Sequence, residues 1–289
     1  MACAEEPPAA RGFTLHMTSR PLGEIADDLS RQSGVPIIVH PDVVDRVVTV
    51  SISETDLHKA LTELCGQSLC AWDFAYVLMP ATGEAPKTPP GWQQPASVPF
   101  NLTGGTMSLA AFADKITMAS AALVTTLPDA GSRQVTVTGG TALTAAQALS
   151  QLGGDLRAAQ GFFIVGLDRA SMFAHYAVLP QADREAAVRT AIAQLNAIDG
   201  KTIDRVLRRE QREFRKRDDK DRQQTIRRVA EEMTAGIEVL NGLSQGVRTE
   251  VREGLRPYFD VGIKVYQSLP IQEQLEYTPI IESMGKLKR

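Results

Sequence analysis

Residues 48–66 read VTVSISETDLHKALTELCG. Val48, Val50 and Ile52 alternate with Thr49, Ser51 and Ser53, the period of two that marks a half-buried strand. Leu57, Ala60, Leu61 and Leu64 then fall at i, i+3, i+4 and i+7, one face of a helix. Between them Ser53-x-x-Asp56 is similar to a capping box, and Gly66 is placed to stop the helix. The pattern returns in VTVTGGTALTAAQALSQLGG, residues 135–154, where Val135-Thr-Val137 matches Val48-Thr-Val50 at an offset of 87 residues. Ala148, Leu149 and Leu152 match Ala60, Leu61 and Leu64 after one residue of slippage.

Working outward, the flanks repeat as well. Phe13, Leu15 and Met17 alternate as a strand, and Phe13 and Leu15 match Phe100 and Leu102. Leu22, Ile25, Ala26 and Leu29 form one helical face, and Leu22, Ala26, Asp27 and Leu29 match Leu109, Ala113, Asp114 and Ile116. Ser19 is a cap candidate for that helix, with Pro21 in its first turn and Gly34 as its left-handed stop. Val35–Val39 is a short apolar strand. Trp72–Met79 closes the unit as one bent strand or a tight strand pair, and Leu69, Val77 and Leu78 match Leu156, Ile164 and Val165.

Strand, helix, strand, strand, helix, strand is thus expected twice. In this order of apolar residues the chain resembles the short N-terminal domain shared by secretins and TonB-dependent transducers, the STN domain. The resemblance covers residues 12–80 and 99–167. It implies an α+β fold of two tandem small βαββαβ modules, each with two helices and two small sheets, and implies docking or self-assembly at the entrance of a larger envelope machine. A pattern of apolar residues names a fold and no chemistry. No run of long alternating strands follows, so neither a secretin pore nor a TonB-type barrel is expected. Extra glycines in the second copy (Gly104-Gly105, Gly139-Gly140, Gly153-Gly154) are expected to loosen its strand and helix ends.

The expected organisation is a disordered leader (1–11), a first module (12–81), a proline-rich linker (82–97), a second module (98–168) and an all-α region (178–289). Residues 80–99 hold six prolines, the composition of a stiff, extended spacer, and Trp92 within it is expected to pack back onto a neighbouring module. Beyond residue 177 apolar residues take helical spacing, for example Val188, Ile192 and Leu195, or Ile226, Val229, Met233, Ile237 and Leu240. Four or five helices are expected, with a turn at Gly242–Gly246, a kink or restart at Pro257 and an interruption at Pro279. No known family is recognised in this half.

Net charge is −3 and hydrophobic content 43%, ordinary for a globular chain. Residues 1–100 carry 12 acidic and 6 basic side chains, whereas 201–229 carry 6 and 12. Arg205, Arg208, Arg209, Arg212, Arg215, Lys216 and Arg217 form a candidate surface for an anionic partner. Interleaved acids offer i,i+4 pairs (Asp204/Arg208, Glu213/Arg217, Asp218/Arg222), which favour a single solvated helix stabilised by its own charges. Cys65 and Cys70 flank a short turn and are either a small-loop disulfide or two buried thiols. Ala2-Cys3 before a proline-rich tail resembles the end of a bacterial lipobox, which makes Cys3 a candidate for lipidation; the other reading is an accidental cysteine. Residues 1–6 have neither the basic nor the apolar part of a signal peptide. Histidines 16, 40, 58 and 175 lack metal-ligand spacing, and phosphate loops and nucleophile elbows are absent.

No catalytic, cofactor-binding or metal-binding residue is therefore assigned, and no cofactor is expected. The favoured expectation is a non-enzymatic extracytoplasmic interaction or assembly module, periplasmic or envelope-anchored, serving as an adaptor of a secretion, pilus or envelope-signalling complex. Its partners would be envelope proteins or further copies of itself, with membrane contact only through a lipidated Cys3 and no nucleic acid. The alternatives are a structural oligomer organised by the C-terminal helices, or a cytoplasmic nucleic-acid-binding regulator using residues 201–229.

Overall fold

The computed structural model describes residues 12–95, 97–166 and 175–286; the leader 1–11 lies outside them. The alternating segments are strands and the i,i+3,i+4,i+7 segments are helices. The first half contains β1 (Phe13–Pro21), α1 (Leu22–Ser33), β2 (Ile37–Val39), β3 (Val47–Thr55), α2 (Leu57–Ser68) and β4 (Cys70–Pro80). The second contains β5 (Phe100–Ser108), α3 (Leu109–Ser120), β6 (Val124–Thr126), a 3-10 turn (Pro128–Ala130), β7 (Gln134–Leu143), α4 (Ala145–Leu149) and β8 (Leu156–Gly166). After a second 3-10 turn (His175–Val178) come α5 (Gln181–Asn196), α6 (Gly200–Arg215), α7 (Asp219–Asn241), α8 (Gln245–Gln267), α9 (Ile271–Glu276) and α10 (Thr278–Met284). The fold is mixed α+β with a helical C-terminal region.

The halves do not close separately. β1 pairs with β3 and β5 with β7, but the other four strands form one sheet in the order β2-β8-β4-β6. β4 and β8 run antiparallel along their whole length, from Cys70 opposite Gly166 to Pro80 opposite Leu156. β2 lies parallel to β8, and β6 parallel to β4. The short strand of each half therefore pairs with the closing strand of the other. Phe162 and Ile164 complete the core built on Leu22, Ile25 and Leu61, and Leu78 completes the one built on Leu109 and Phe112. The physical reason lies in β4, where Ala71, Ala75 and Val77 are buried on one face and Cys70 and Leu78 on the other. A strand apolar on both faces belongs in the middle of a sheet. Where the halves cross, a Cβ on Gly161 would lie 2.5 Å from the Pro36 carbonyl oxygen, so the crossing requires glycine.

The proline-rich segment is not a free spacer. Lys87 N donates to Gly34 O at 2.8 Å, and the Trp92 ring sits edge-on to Phe74 and Tyr76 at 5.4 and 5.5 Å.

Several local signals resolve differently from their sequence reading. Ser19 lies in β1 with φ 52°, and Pro21 takes the cap position of α1. Ser53 lies in β3, and α2 is capped by Asp56, whose side chain accepts from Lys59 N at 2.9 Å. Gly34 ends α1 in the left-handed conformation, but α2 runs past Gly66 and Leu69 takes that role at φ 52°. Leu69 is fully buried. Burying a leucine gains about 1.5–3 kcal/mol, enough to offset the roughly 1–2 kcal/mol of a left-handed residue. In the second half, α4 stops after five residues because Gln151 turns to the sheet instead. Its side chain accepts from Gly139 N at 2.9 Å and donates to Gly139 O at 3.1 Å. Gly104 and Gly139 tighten rather than loosen this region: a Cβ on Gly139 would lie 2.4 Å from Leu102 O.

The basic stretch is two helices. Asp218 caps α7, accepting from Asp221 N at 2.8 Å, and this breaks the single helix expected across 201–229. α8 runs through Pro257, and Pro279 lies in the first turn of α10. Six α-helices follow residue 177 among the described residues, one more than the upper expectation. Val188, Leu195, Val206, Leu240 and Val251 form a core that also takes in Leu69 and Ala71 from the first half.

Candidate functional site

The shared sheet has two edges, β2 and β6. At β2, Phe162 N donates to Pro36 O at 2.9 Å and His40 N to Ile164 O at 2.8 Å. With inward bonds at Pro36 and His40, the strand period turns the backbone groups of Ile37 and Val39 outward. At β6, Tyr76 N donates to Leu123 O at 2.9 Å and Leu127 N to Leu78 O at 3.1 Å, which turns Val124 and Thr126 outward. Thr117 covers that edge at Val124: its hydroxyl accepts from Val124 N at 3.0 Å and donates to Val124 O at 3.1 Å. Ser30 is the matching residue at the 87-residue offset, and its hydroxyl donates instead to Val35 O at 2.8 Å. It stops two residues short of Ile37, and among the described residues no side chain does for Ile37 what Thr117 does for Val124.

Each edge borders a groove built from matching positions. The first, of about 660 Å³, is walled by Glu24, Asp27 and Arg31 of α1, runs along Ile37–Val39, and is bounded by residues 84–87, Met79 and Pro128. The second, of about 610 Å³, is walled by Ala110, Ala113 and Met118 of α3, runs along Val124–Thr126, and is overlain by Glu231 and Ala235 of α7. Both grooves are lined mainly by apolar surface and both carry acids, with Asp114, Glu231 and Glu232 in the second; the first has an open strand edge, while the second has a hydroxyl on its edge and a helix across it. Charges lining the first groove are Glu24, Asp27, Asp45 and Glu84 against Arg31 and Lys87, an acidic balance. The ion pairs of Arg20 with Glu24 and of Arg31 with Asp28 at its wall have their arginines in solvent, so they are screened and weak.

The basic residues singled out in the sequence are mostly exposed along α6 and its end, and they differ in their partners. Arg209 donates to Val47 O on the first half, and partial burial holds its pKa below the usual guanidinium value. Arg208 pairs with Asp204 at 3.0 Å, Arg215 with Glu273 at 2.8 Å and Lys216 with Glu213 at 2.8 Å. Arg205 donates to Thr202 Oγ1 at 3.4 Å and Arg217 to Thr225 Oγ1 at 3.0 Å, while Arg212 is exposed. Of the three expected i,i+4 pairs only Asp204/Arg208 forms as read. Lys216 takes Glu213, Asp218 is spent on its cap, and Arg222 reaches Asp219 and Glu276 at 2.6 and 3.3 Å.

What the sequence reading missed is the clasp joining this region to the first half. Arg46 is almost fully buried; it donates to Leu69 O at 3.1 Å and to Ser68 O, and its Nε lies 3.1 Å from Glu210 Oε1. Arg228 Nη1 donates to both oxygens of Asp42 at 2.9 and 2.8 Å. The visible signal was the charged pair Asp45-Arg46 set between Val43-Val44 and Val47-Val48.

Cys65 and Cys70 are buried thiols, and the candidate disulfide between them is not formed. Both lie in the first core, and burial pushes the Cys65 thiol well above its ordinary pKa. Cys3 and the His175 side chain lie outside the described residues. His16 contacts Ser51 Oγ at 2.8 Å, His40 contacts Asp42 at 3.2 Å, and His58 stacks on Trp72 with ring centroids 5.2 Å apart. Among the described residues no group of three or more His, Cys, Asp or Glu is placed to hold a metal ion, and no helix is long and apolar enough to cross a membrane. The chain matches no protein-family model, no curated protein and no solved structure.

Proposed function

We propose that this chain is a non-enzymatic interaction and assembly module of the bacterial envelope, and that it receives an extended segment of a partner protein on the outer edge of β2. In this reading the two halves are interlocked βαββαβ units akin to the STN domain, and the helical half fixes their relation. Support comes from the element order, which occurs twice, and from matching residues on matching elements. The observation that carries the reading is the pair of edges. Matching positions cover β6 at Val124 with Thr117 and leave β2 without an equivalent, beside a groove of about 660 Å³. A strand added there gains main-chain hydrogen bonds at Ile37 and Val39, and the groove selects its side chains. The acidic balance of the walls favours a segment carrying lysine or arginine.

Placement at the periplasmic face or on a lipidated Cys3 belongs to the same proposal. A photo-crosslinker placed at Ile38 in cells is expected to capture a defined envelope protein. Val39→Pro removes the outward N–H without touching an inward bond and is expected to abolish the capture while the melting temperature stays within a few degrees. Equal capture from Thr125 on β6, or capture that survives Val39→Pro, would overturn the reading.

A further inference from the structure

A second cavity, of about 340 Å³, lies in the helical half between α6, α7, α8 and α10, lined by Leu207, Phe214, Val229, Met233, Phe259 and Ile280. Its mouth carries Ile263 and Ile281, both more than 40% exposed, and Ile271 and Leu275 on the neighbouring α9 are more exposed still. One end is polar, with Asp42, Arg46, Glu210, Gln211 and Arg217. There the Nε2 of Gln211 is buried and has no hydrogen-bond partner.

We propose that this cavity binds a single-chain amphiphile: one hydrocarbon tail whose head is an uncharged hydrogen-bond acceptor, such as an ester or amide carbonyl. The walls select the tail, because apolar surface is favourably covered by hydrocarbon and not by water. Gln211 selects the acceptor, because a buried amide N–H needs an oxygen opposite it. The charges select neutrality, since Arg46 and Arg217 at the polar end stand against Asp42 and Glu210, and Arg228, bonded to Asp42, is itself paired with Glu232 at 3.6 Å. Size excludes a partner helix. The volume is at the low end of the roughly 300–1,000 Å³ of small-molecule sites, and a helix with its side chains is about 10 Å across. Tyr277 at the rim stays a hydroxyl donor, because burial first and then Glu273 and Glu276 push its pKa up to about 12.

The test is titration of the full chain with the glycerol monoester of dodecanoic acid below its micellar concentration, read by calorimetry and native mass spectrometry. Saturable binding of one molecule per chain is expected, with dodecyltrimethylammonium binding more weakly and the β2 variant Val39→Pro binding unchanged. Met233→Trp fills the cavity and is expected to abolish binding; Val229→Phe gives the same readout should the tryptophan variant fail to fold. Gln211→Leu is expected to weaken binding about tenfold, the size of one hydrogen bond. Absence of saturable binding below the micellar concentration, binding only to phospholipid vesicles, or binding unaffected by both filling variants would overturn the proposal. Because it uses no residue of the β2 groove, its failure leaves the strand-addition reading standing, and the reverse holds.

Discussion

Arg46 and Arg133 occupy the same place in the two halves, and their fates differ. Both carbonyls accept from the first residue of the helix that precedes them, Leu22 N at 2.8 Å for α1 and Leu109 N at 2.7 Å for α3. The Arg46 side chain is buried under the helical region and bound to Glu210 and the end of α2. The Arg133 side chain is about half exposed, 3.9 Å from an exposed Asp155. The same contrast runs through the sheet edges, where Thr117 reaches Val124 and Ser30 does not reach Ile37, and through the second helices, α2 of twelve residues and α4 of five. Apart from the shorter α4, two copies of one element order therefore keep matching elements in place. What diverges is which side chain is recruited by a neighbour.

The largest expected break in this comparison is at the arginines. Arg46→Met should cost about 3 kcal/mol, because it leaves the Ser68 and Leu69 carbonyls buried and removes a nearly desolvated ion-pair partner. Arg133→Met should stay within about 0.5 kcal/mol. Urea unfolding of both checks this, and equal losses would show that the clasp is not where stability differs.

Next comes the crossing of the shared sheet. Gly161→Ala pushes a Cβ against Pro36 O and should cost about 2 kcal/mol while loosening β2. Ala75→Gly, opposite it across the sheet, should cost about 1 kcal/mol or less. Thermal melts of the two variants compare them directly.

The edges themselves are read by amide hydrogen exchange. The Val39 amide is expected to exchange faster than that of Val124, and Thr117→Ala should bring Val124 up to the Val39 rate at a cost of about 1 kcal/mol. Protection of Val39 equal to that of Val124 in the free protein would mean that β2 is not open.

The smallest effect concerns the thiols, which only the first core contains. Cys65 keeps its proton in the folded state, whereas the unfolded chain releases it above the ordinary value of 9.0. Above that pH the unfolded state binds fewer protons, so stability falls as pH rises past about 9. Cys65→Ala should flatten this decline in melts between pH 8 and 10. In the native protein neither Cys65 nor Cys70 should react with a disulfide reagent at pH 8.

Much of the secondary structure could be read from side-chain spacing. Val48, Val50 and Ile52 announce a strand, and Leu57, Ala60, Leu61 and Leu64 a helix, because burial repeats with the geometry of the chain itself. Signals that depend on one residue fared less well. Gly66 looked like a stop and Leu69 became one, since burial of a leucine outweighs a backbone preference. Pairing of Glu213 with Arg217 looked natural on one helix, but Asp218 was used as a cap and the helix ended first. Of the candidate site, little was visible, because Ser30 and Thr117 look alike in a row of letters.

The residues alone determined most of the strands and helices of the front half and the order in which they recur, because periodicity is a property of one element. Tertiary structure alone decided that β2 would lie beside β8 and β6 beside β4. Backbone hydrogen bonds are the same for any strand, and Phe162 fills the first core on the same apolar terms as a residue of that half's own closing strand would. Only the assembled three-dimensional packing, with the helical half resting on Leu69 and Ala71, distinguishes a pair of separately closed units from an interlocked one, and only there does one edge of the sheet remain open.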